Sequence, residues 1–311
     1  MVDLGKMFGA GDVTTFLGFE NVTPDGLLPG DLAFLGVPGA TPYASVGPYC
    51  ANAPKAVRGA AALYAANVEK WHFDLDGPMI APGRRGVDLG DVAYDADDFA
   101  ANRANIRQLV SDVLASGAVP FVMGGDDSVP IPVFEAFAGR GPFTILQIDA
   151  HIDWRDSVDG EDLGLSSTMR RASEMTHIKG MVQVGQRGLG SASEVERRAA
   201  LDYGAALVPM ATLRREGVGA AVDLIPEGAD VLLTLDVDAL DPAIMPGVIA
   251  RTGGGMSFGE IIDLVDGVAA KARLCGVNMI EFMPERDIDG LGAMTAAQVM
   301  MHMMGRVSRQ G

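Results

Sequence analysis

The sequence predicts an α/β protein with a mostly parallel sheet of about eight strands. Short apolar runs rich in β-favouring residues alternate with longer amphipathic segments along the whole chain. Strands that alternate with helices form parallel sheets that helices cover on both faces. The 40 glycines and 17 prolines are spread through the 311 residues and mark no linker, so we expect one domain, residues 1–311.

Each predicted element has a local reason in the sequence. Apolar runs that end at glycine, proline or an acidic residue predict strands at residues 31–37, 87–92, 118–123, 143–149, 181–184, 205–209, 231–236 and 276–281. Apolar residues at helical spacing predict helices at residues 54–66, 96–116, 130–137, 168–175, 193–203, 212–224, 257–272 and 295–307. Gly117 ends the second helix, and Gly141-Pro142 bounds the fourth strand. In such sheets, ligands bind at the carboxyl ends of the strands.

The composition excludes several classes of function. A formal net charge of −17 without a Lys/Arg cluster excludes a nucleic-acid partner, because phosphate binding requires a basic surface. No apolar run approaches the roughly 20 residues of a membrane helix, and the N-terminus lacks a signal pattern, so we expect a cytoplasmic protein without a membrane partner. Two cysteines without a CxxC motif are typical of a reducing compartment. An acidic chain instead attracts metal ions or cationic small molecules.

One predicted strand ends in three groups that are able to bind a metal ion. The strand at 143–149 leads into Asp149-Ala150-His151-Ile152-Asp153. Alternate side chains of an extended chain point the same way, so Asp149, His151 and Asp153 face one point in space. Two carboxylates and an imidazole suit a divalent cation. Taken alone, however, such a run is also typical of turns and solvated faces.

A second predicted strand also ends in carboxylates. Residues 231–235 lead directly into Asp236-Val237-Asp238, and Asp241-Pro242 follows. A turn explains Asp241, but Asp236 and Asp238 follow apolar or small residues, where a charge is costly without a partner. A metal ion supplies that partner. Only one of the four histidines, His151, lies among these carboxylates, so most ligands are oxygens, which favours a hard ion such as Mn²⁺.

The last predicted helix carries a methionine-rich face. Met300, Met301, Met303 and Met304 have helical spacing, which is typical of a core or a subunit contact and not of a cofactor site. His302 lies among these methionines, so we predict a packed or surface histidine there.

In combination, the motifs resemble the ureohydrolase (arginase and agmatinase) family, most closely its agmatinase-like branch. The matching segments are Gly124-Gly125-Asp126-Asp127-Ser128, Asp149-Ala150-His151-Ile152-Asp153, Asp236-Val237-Asp238-Ala239-Leu240-Asp241-Pro242 and Asn278-Met279-Ile280-Glu281. The resemblance extends over nearly the whole chain. It implies a three-layer α/β/α fold and a centre of two divalent metal ions, Mn²⁺ or alternatively Ni²⁺. It also implies hydrolysis of a guanidino compound to urea and an amine.

The resemblance implies a role for each matched metal ligand. The implied ligands are Asp127, Asp149, His151, Asp153, Asp236 and Asp238. Asp149 and Asp236 would bridge the two ions. Asp153 would complete the first ion's shell, and His151 and Asp238 the second's. A hydroxide held between the ions would attack the guanidino carbon, because two cations lower the pKa of a bound water.

The implied substrate contacts begin with Glu281, which would hold the cationic guanidinium by a charge-assisted pair. The loops at residues 39–50 and 154–167 would read the far end of the substrate. Trp154 would stack on a cation, or it would pack and anchor its loop; both alternatives stay open. Ser166 is a further candidate for substrate contact.

Two positions depart from the family pattern. The family's first motif reads Gly-Gly-Asp-His-Ser, but Asp127 replaces that metal-binding histidine here. The family also carries a histidine in a His-Gly-Thr/Ser segment after the second motif, where this chain has Leu165-Ser166-Ser167-Thr168. Protonation of the leaving amine would then come from Asp153, from water or from another group. The additional carboxylate should hold a cationic substrate better and acidify water less.

Three hypotheses on function therefore stay open. The first is an active amidinohydrolase acting on an agmatine-like guanidino compound. The second is a non-catalytic or weakly active subunit that pairs with an active paralogue, because two of the family's histidines are absent. The third is hydrolysis of a related C–N bond in a methylated guanidine, a biguanide or a formimino compound. The resemblance also implies assembly as a homotrimer or homohexamer.

Overall fold

A computed structural model describes residues 12–310, and its central feature is a parallel sheet. The strands in chain order are β1 (Glu20–Asn21), β2 (Leu32–Gly36), β3 (Gly86–Asp91), β4 (Val119–Met123), β5 (Phe143–Ile148), β6 (Ile178–Val184), β7 (Ala206–Val208), β8 (Asp230–Asp236) and β9 (Arg273–Ile280). They lie in the order β1-β3-β2-β4-β9-β8-β5-β6-β7, and every neighbouring pair is parallel. The four strands β4, β9, β8 and β5 therefore occupy the middle of the sheet.

Helices connect the strands and cover both faces of the sheet. They are α1 (Ala53–Ala61), α2 (Phe99–Ala115), α3 (Pro130–Ala136), α4 (Thr168–Ser173), α5 (Glu194–Tyr203), α6 (Met210–Glu216), α7 (Gly219–Val222), α8 (Phe258–Lys271) and α9 (Leu291–Ser308). Short 3₁₀ turns at Phe16–Gly18, Pro24–Gly26, Ala62–Asn67, Phe73–Leu75, Val237–Ala239 and Pro284–Arg286 join some of these elements.

Two hydrophobic clusters, one on each face of the sheet, give the protein its three layers. Successive strand residues point to opposite faces. Accordingly, Phe34 and Leu233 lie in one cluster, with α1, α8 and α9, whereas Leu35 and Leu232 lie in the other, with α2 and α3. The strand β5 is buried along its whole length, because helices cover both its faces. The predicted three-layer α/β/α architecture is thus confirmed.

The predicted strands are confirmed, and the sheet contains one more. The additional strand, β1, has two residues, so it shows no periodicity in the sequence. The predicted helix at 212–224 is two helices, α6 and α7, because Gly217 between them has a φ of 78° that no helix accommodates. The predicted helix at 54–66 is α-helical only to Ala61 and continues as a 3₁₀ turn.

The methionine-rich face of α9 belongs to the core of this chain. Met300, Met303 and Met304 are fully buried, and Met301 nearly so. His302 is buried among them, and its Nε2 lies 2.6 Å from Oδ1 of Asp266. Of the two alternatives for this face, packing in the core is the one observed. Over residues 12–310, no helix is both long enough and apolar enough to cross a membrane.

Candidate metal centre

Acidic residues follow the four central strands at their carboxyl ends. β5 leads into Asp149, β8 ends at Asp236, and β9 leads into Glu281. β4 leads through Gly124-Gly125 to Asp127. Because these four strands are parallel neighbours, their carboxyl ends share one edge of the sheet, and motifs far apart in sequence meet there.

The two glycines after β4 turn the chain so that Asp127 reaches this edge. Gly124 and Gly125 have φ angles of 96° and 74°, which favour glycine. A Cβ on Gly125 would also lie 2.5 Å from Cγ2 of Val129, too close for any side chain. Past this turn, the backbone carbonyl of Asp127 accepts a hydrogen bond from the Thr168 hydroxyl at the start of α4. The turn therefore needs both glycines.

Potential ligand atoms gather in two groups that share one carboxylate. Asp127, Asp149 and Asp153, here called the first group, each offer an oxygen within 4.8 Å of the others. Asp149, His151 and Asp238, the second group, meet the same limit. Two sets of ligands that share a carboxylate form the arrangement expected of two adjacent metal ions.

The first group has the properties of a cation site. Asp127 is 3% exposed, and both of its carboxylate oxygens are buried without a hydrogen-bond partner. Burial, followed by the charges of Asp153 and Asp149, raises the pKa of Asp127 well above its ordinary value. Desolvation and the charge of Asp149 do the same to the pKa of Asp153. A divalent cation would satisfy the unpaired oxygens and balance these charges, so the residues present fit a metal ion.

The second group combines one imidazole with two carboxylates. Nδ1 of His151 lies 3.1 Å from Oδ2 of Asp238 and 3.3 Å from Oδ1 of Asp149. Burial would lower the pKa of His151, but its hydrogen bonds to Asp149 and Asp238 dominate and raise it to about 12. Burial likewise opposes ionisation of Asp149, yet His151 lowers the pKa of that carboxyl. The imidazole nitrogen and the two carboxylates therefore lie close enough together to share one cation.

Asp236 lies beside these groups and belongs to neither. Its Oδ1 accepts a hydrogen bond of 2.7 Å from the backbone N–H of Asp238. Burial, together with the charges of Asp238 and Asp149, raises the pKa of Asp236 well above its ordinary value. Its predicted role as a second bridging ligand stays a prediction.

Glu281 lies in the same site as the metal groups and is held in place by two donors. The Tyr49 hydroxyl lies 2.7 Å from both carboxylate oxygens, and the backbone N–H of Asp127 donates to Oε1 at 2.8 Å. Glu281 has a φ of 68°, a strained value of the kind that clusters at functional sites. Burial raises the pKa of Glu281 to about 8, although the hydrogen bond from Tyr49 acts to lower it. A bound cation would restore the charged form.

A cavity of about 160 Å³ opens above these groups. The predicted site residues that line it are Asp127, His151, Asp153, Trp154, Ser166, Asp236, Asp238 and Glu281. Asp149 is fully buried and is not among the lining residues. Leu165, Ile249 and Ala250 add an apolar wall. Arg155 and Glu196, also in the lining, pair with each other, with Nε and Oε1 3.4 Å apart.

The other two predicted substrate contacts, Trp154 and Ser166, are placed differently from each other. Trp154 is 3% exposed, and its indole N–H donates to Oε1 of Gln183 at 2.8 Å. Its ring also packs against Tyr203, with ring centroids 5.7 Å apart. This geometry agrees with the alternative that Trp154 anchors its loop. Ser166 is half-buried, and its backbone N–H donates to the Tyr43 hydroxyl at 3.2 Å.

Tyr49 and Gln147 are functional candidates that sequence reasoning missed. Tyr49 lies in the predicted substrate loop 39–50, but nothing in the local sequence distinguishes it from other residues of that loop. The local sequence could have indicated Gln147 as a site residue, because it is a polar side chain within an apolar strand and lies two residues before Asp149. It therefore shares a face of the strand with Asp149.

A family comparison decides what kind of protein this is. The sequence model described as "Arginase family" matches residues 30–305. The chain belongs to the arginase family. The resemblance to the ureohydrolases is thereby confirmed, and the chain is an arginase-family hydrolase acting on amidino C–N bonds.

Individual relatives from the arginase family cover most of the chain. The N(1)-aminopropylagmatine ureohydrolase of Thermus thermophilus is 32% identical over 254 residues, which are 81% of this chain and 84% of that protein. The human mitochondrial guanidino acid hydrolase is 27% identical over 296 residues, 91% of this chain and 79% of that protein. The crystal structure of formimidoylglutamase from Bacillus subtilis superposes with a TM-score of 0.82 at 23% identity, covering 96% and 93% of the two chains. At this identity, the similarity to the formimidoylglutamase structure shows a common fold only.

Proposed function

We propose that this protein is a metal-dependent amidinohydrolase that converts a small guanidino compound to urea and an amine. One observation carries the proposal: two groups of metal-ligand atoms share Asp149, and Glu281 lines the same cavity as the other members of both groups. A guanidinium held on Glu281 would lie beside both groups. The names of the relatives, an aminopropylagmatine ureohydrolase and a guanidino acid hydrolase, support a guanidino substrate.

We assign the metal ligands from the two groups. The first group would hold one divalent ion and the second group the other, with Asp149 common to both and Asp236 as a second bridge. When bound, two such ions lower the pKa of water enough to supply the nucleophile at neutral pH. The donors are carboxylate oxygens and a single imidazole, which favours Mn²⁺, with Ni²⁺ as the alternative.

Glu281 would bind the substrate and orient it. Its two oxygens match the planar, forked N–H groups of a guanidinium, so the pair is both charge-assisted and directional. Tyr49 and the backbone N–H of Asp127 hold this carboxylate in place. The apolar wall formed by Leu165, Ile249 and Ala250 would exclude water from the rest of the substrate.

Asp153 would pass a proton to the leaving amine. Among the residues described, His151 is the only histidine that lines the cavity. His177, for comparison, hydrogen-bonds the carbonyl of Phe134 in the core. Asp153 faces the cavity, so its carboxylate is placed to relay a proton there, with water as the alternative source.

The test combines metal analysis with a survey of substrates. Metal-free protein would be loaded separately with Mn²⁺ and Ni²⁺, and urea release measured from guanidine, methylguanidine, agmatine, 4-guanidinobutyrate and a biguanide. This panel covers neutral, cationic and anionic tails, because Arg155 and Glu196 pair with each other and leave the preferred tail charge open. N-formimino-L-glutamate, followed by formamide release, covers the formimino alternative. Two ions per chain with turnover of one compound is the expected result, and one ion or none without turnover would overturn the proposal.

A second candidate function is that of a weakly active subunit paired with an active paralogue. Asp127 in place of the family's histidine and Ser166 in the histidine-free loop favour it. Purification from the native source, followed by mass spectrometry and light scattering, would separate the candidates. A homotrimer or homohexamer with turnover supports the first, whereas a mixed oligomer whose activity resides in the paralogue supports the second.

A further inference from the structure

A buried glutamine joins two carboxylates of the first group. Gln147 is 1% exposed, and its side-chain amide nitrogen lies 2.7 Å from Oδ2 of Asp149 and 2.6 Å from Oδ2 of Asp153. Each of its two N–H bonds therefore points at a different carboxylate of the same group. A primary amide carries two such donors, so both are used here.

Two further side chains set the orientation of this amide. The side-chain amide of Gln183 donates to Oε1 of Gln147 and, at 2.9 Å, to the carbonyl of Ile152. Oε1 of Gln183 in turn accepts the indole N–H of Trp154 at 2.8 Å. An indole N–H only donates, so the chain of hydrogen bonds has one direction, from Trp154 to Gln183 to Gln147 to the carboxylates. Reversing the Gln147 amide would turn an oxygen toward two carboxylates, and it would break the hydrogen bonds to both of them and the one from Gln183.

We propose that Gln147 is a positioning residue that sets the first group for its metal ion, with its orientation fixed by Gln183 and Trp154. This inference rests on the proposed function, since it concerns one of the two proposed ions. Gln147 holds Asp149 and Asp153 at a fixed separation. Its two donors also offset part of the negative charge where Asp127 brings a third carboxylate into the group.

The electrostatics of the first group show why such a donor is needed. Three carboxylates lie within 4.8 Å, and before a cation arrives they repel one another. Asp127 receives no hydrogen bond on its side-chain oxygens. The compensation comes from Gln147, which donates to Asp149 and Asp153, and from His151, whose Nδ1 lies 3.3 Å from Oδ1 of Asp149. Groups that orient metal ligands in this way typically alter metal affinity by about 10- to 100-fold when they are removed.

The experiment titrates Mn²⁺ into metal-free parent protein and into the Gln147→Met variant, which keeps the side-chain length and removes both donors. Calorimetry gives the stepwise affinities, and electron paramagnetic resonance distinguishes a spin-coupled Mn²⁺ pair from a single ion. We expect one site to weaken by about 10- to 100-fold and the other to change much less. At limiting Mn²⁺, the variant should show the single-ion signal where the parent shows the pair.

Thr234→Val is the matched control. Thr234 pairs with Gln147 in the register between β8 and β5, is 1% exposed, and its hydroxyl has no hydrogen-bond partner. Its substitution perturbs the same buried row without removing a link to the carboxylates. Parent-like metal binding is expected. An equal loss in Thr234→Val and Gln147→Met would overturn the inference, because it would show a merely structural effect.

Trp154→Phe provides a second test that keeps Gln147 itself. It preserves an aromatic ring in the core and removes only the donor at the start of the chain, so we expect a smaller loss at the same site. This variant decides the matter if Gln147→Met does not fold. The inference would be overturned if the parent binds two ions and Trp154→Phe binds them with unchanged affinities, as does Gln147→Met where it folds. That result would leave the proposed function intact. Fewer than two ions in the parent would overturn both.

Discussion

The Tyr49 hydroxyl lies 2.7 Å from both carboxylate oxygens of Glu281, although 232 residues separate them in sequence. Tyr49 reaches this position from the loop that precedes α1, and Glu281 directly follows the central strand β9. The contact ties the proposed guanidinium-binding carboxylate to a loop that is free to vary without disturbing the sheet. Substrate affinity in this protein should therefore depend on Tyr49.

Tyr49→Phe should raise KM for the guanidino substrate by about tenfold, because a hydrogen bond to a charged group contributes about 1.5–3 kcal/mol. The metal content should not change, since Tyr49 contacts neither metal group. Steady-state kinetics and metal analysis on the same preparation check both statements. Tyr64→Phe, in the turn after α1, is the matched control. An unchanged KM in Tyr49→Phe would contradict the role assigned to Tyr49.

Asp127→Asn should stabilise the metal-free protein and weaken its response to metal. Removing this charge relieves the repulsion with Asp153 and Asp149 that raises the pKa of Asp127. It also removes a proposed ligand, so Mn²⁺ should raise the Tm of the variant less than that of the parent. A ligand at a free concentration of 100 times its Kd stabilises a folded protein by about 2.7 kcal/mol. In Asp127→Asn, most of this contribution from the first ion should be lost.

Thermal unfolding with and without Mn²⁺ measures both effects. Asp202→Asn, at an exposed position on α5, controls for the loss of one negative charge. A metal response in Asp127→Asn equal to that of the parent would remove Asp127 from the ligand set.

Arg58→Met should destabilise the fold by about 3–5 kcal/mol, because it leaves a buried carboxylate unpaired. Arg58 donates to both oxygens of Asp88 at 2.8 and 2.9 Å, and both residues are buried. Urea unfolding gives the free energy. Arg198→Met breaks an exposed pair with Glu194, and its cost should stay below about 1 kcal/mol. Similar losses of unfolding free energy in Arg58→Met and Arg198→Met would show that burial of the Arg58–Asp88 pair does not increase its contribution to stability.

His302 should make stability fall as the pH is lowered below about 6.5. Burial lowers the pKa of His302, with Asp266 opposing the shift and Arg306 adding to it. Between the folded and unfolded pKa values the unfolded chain binds more protons, so the free energy of unfolding decreases toward acid, by at most about 1.4 kcal/mol per pH unit. Below the folded pKa this contribution to the slope ends.

His302→Gln should remove that part of the pH dependence. The free energy of unfolding in urea would be measured for the metal-free parent and variant between pH 5 and 7.5. The difference between the two curves isolates the contribution of His302, because protonation of the metal ligands is common to both proteins. Stability curves that stay parallel over this range would refute the assignment to His302.

Most of the fold follows from local patterns. The predicted strands form the sheet because their apolar runs suit strands covered on both faces. The sequence patterns did not reveal β1, whose two residues carry no period, or the break at Gly217, whose positive φ is a property of the folded turn. Local sequence patterns also do not predict the order of the strands in the sheet, since that order depends on how the helices and strands pack together.

The candidate site was predictable to the extent that it depends on strand ends. Asp149, His151 and Asp153 alternate after one strand, and Asp236 and Asp238 after another, so their meeting follows from a parallel sheet. The direction of Trp154 did not follow, because an aromatic side chain after a strand either lines a cavity or packs beneath it. Trp154 does both, since it lines the cavity and its indole N–H donates to Gln183 in the core.

The sequence by itself determined the fold class and indicated the candidate metal ligands, because both depend on periodicity and on the residue types at the strand ends. Only the tertiary structure decided which side chains hold those residues in place. Tyr49 meets Glu281, and Gln183 meets Gln147, across long separations in sequence. Such contacts arise from the packing of neighbouring strands and loops, and no local pattern encodes them.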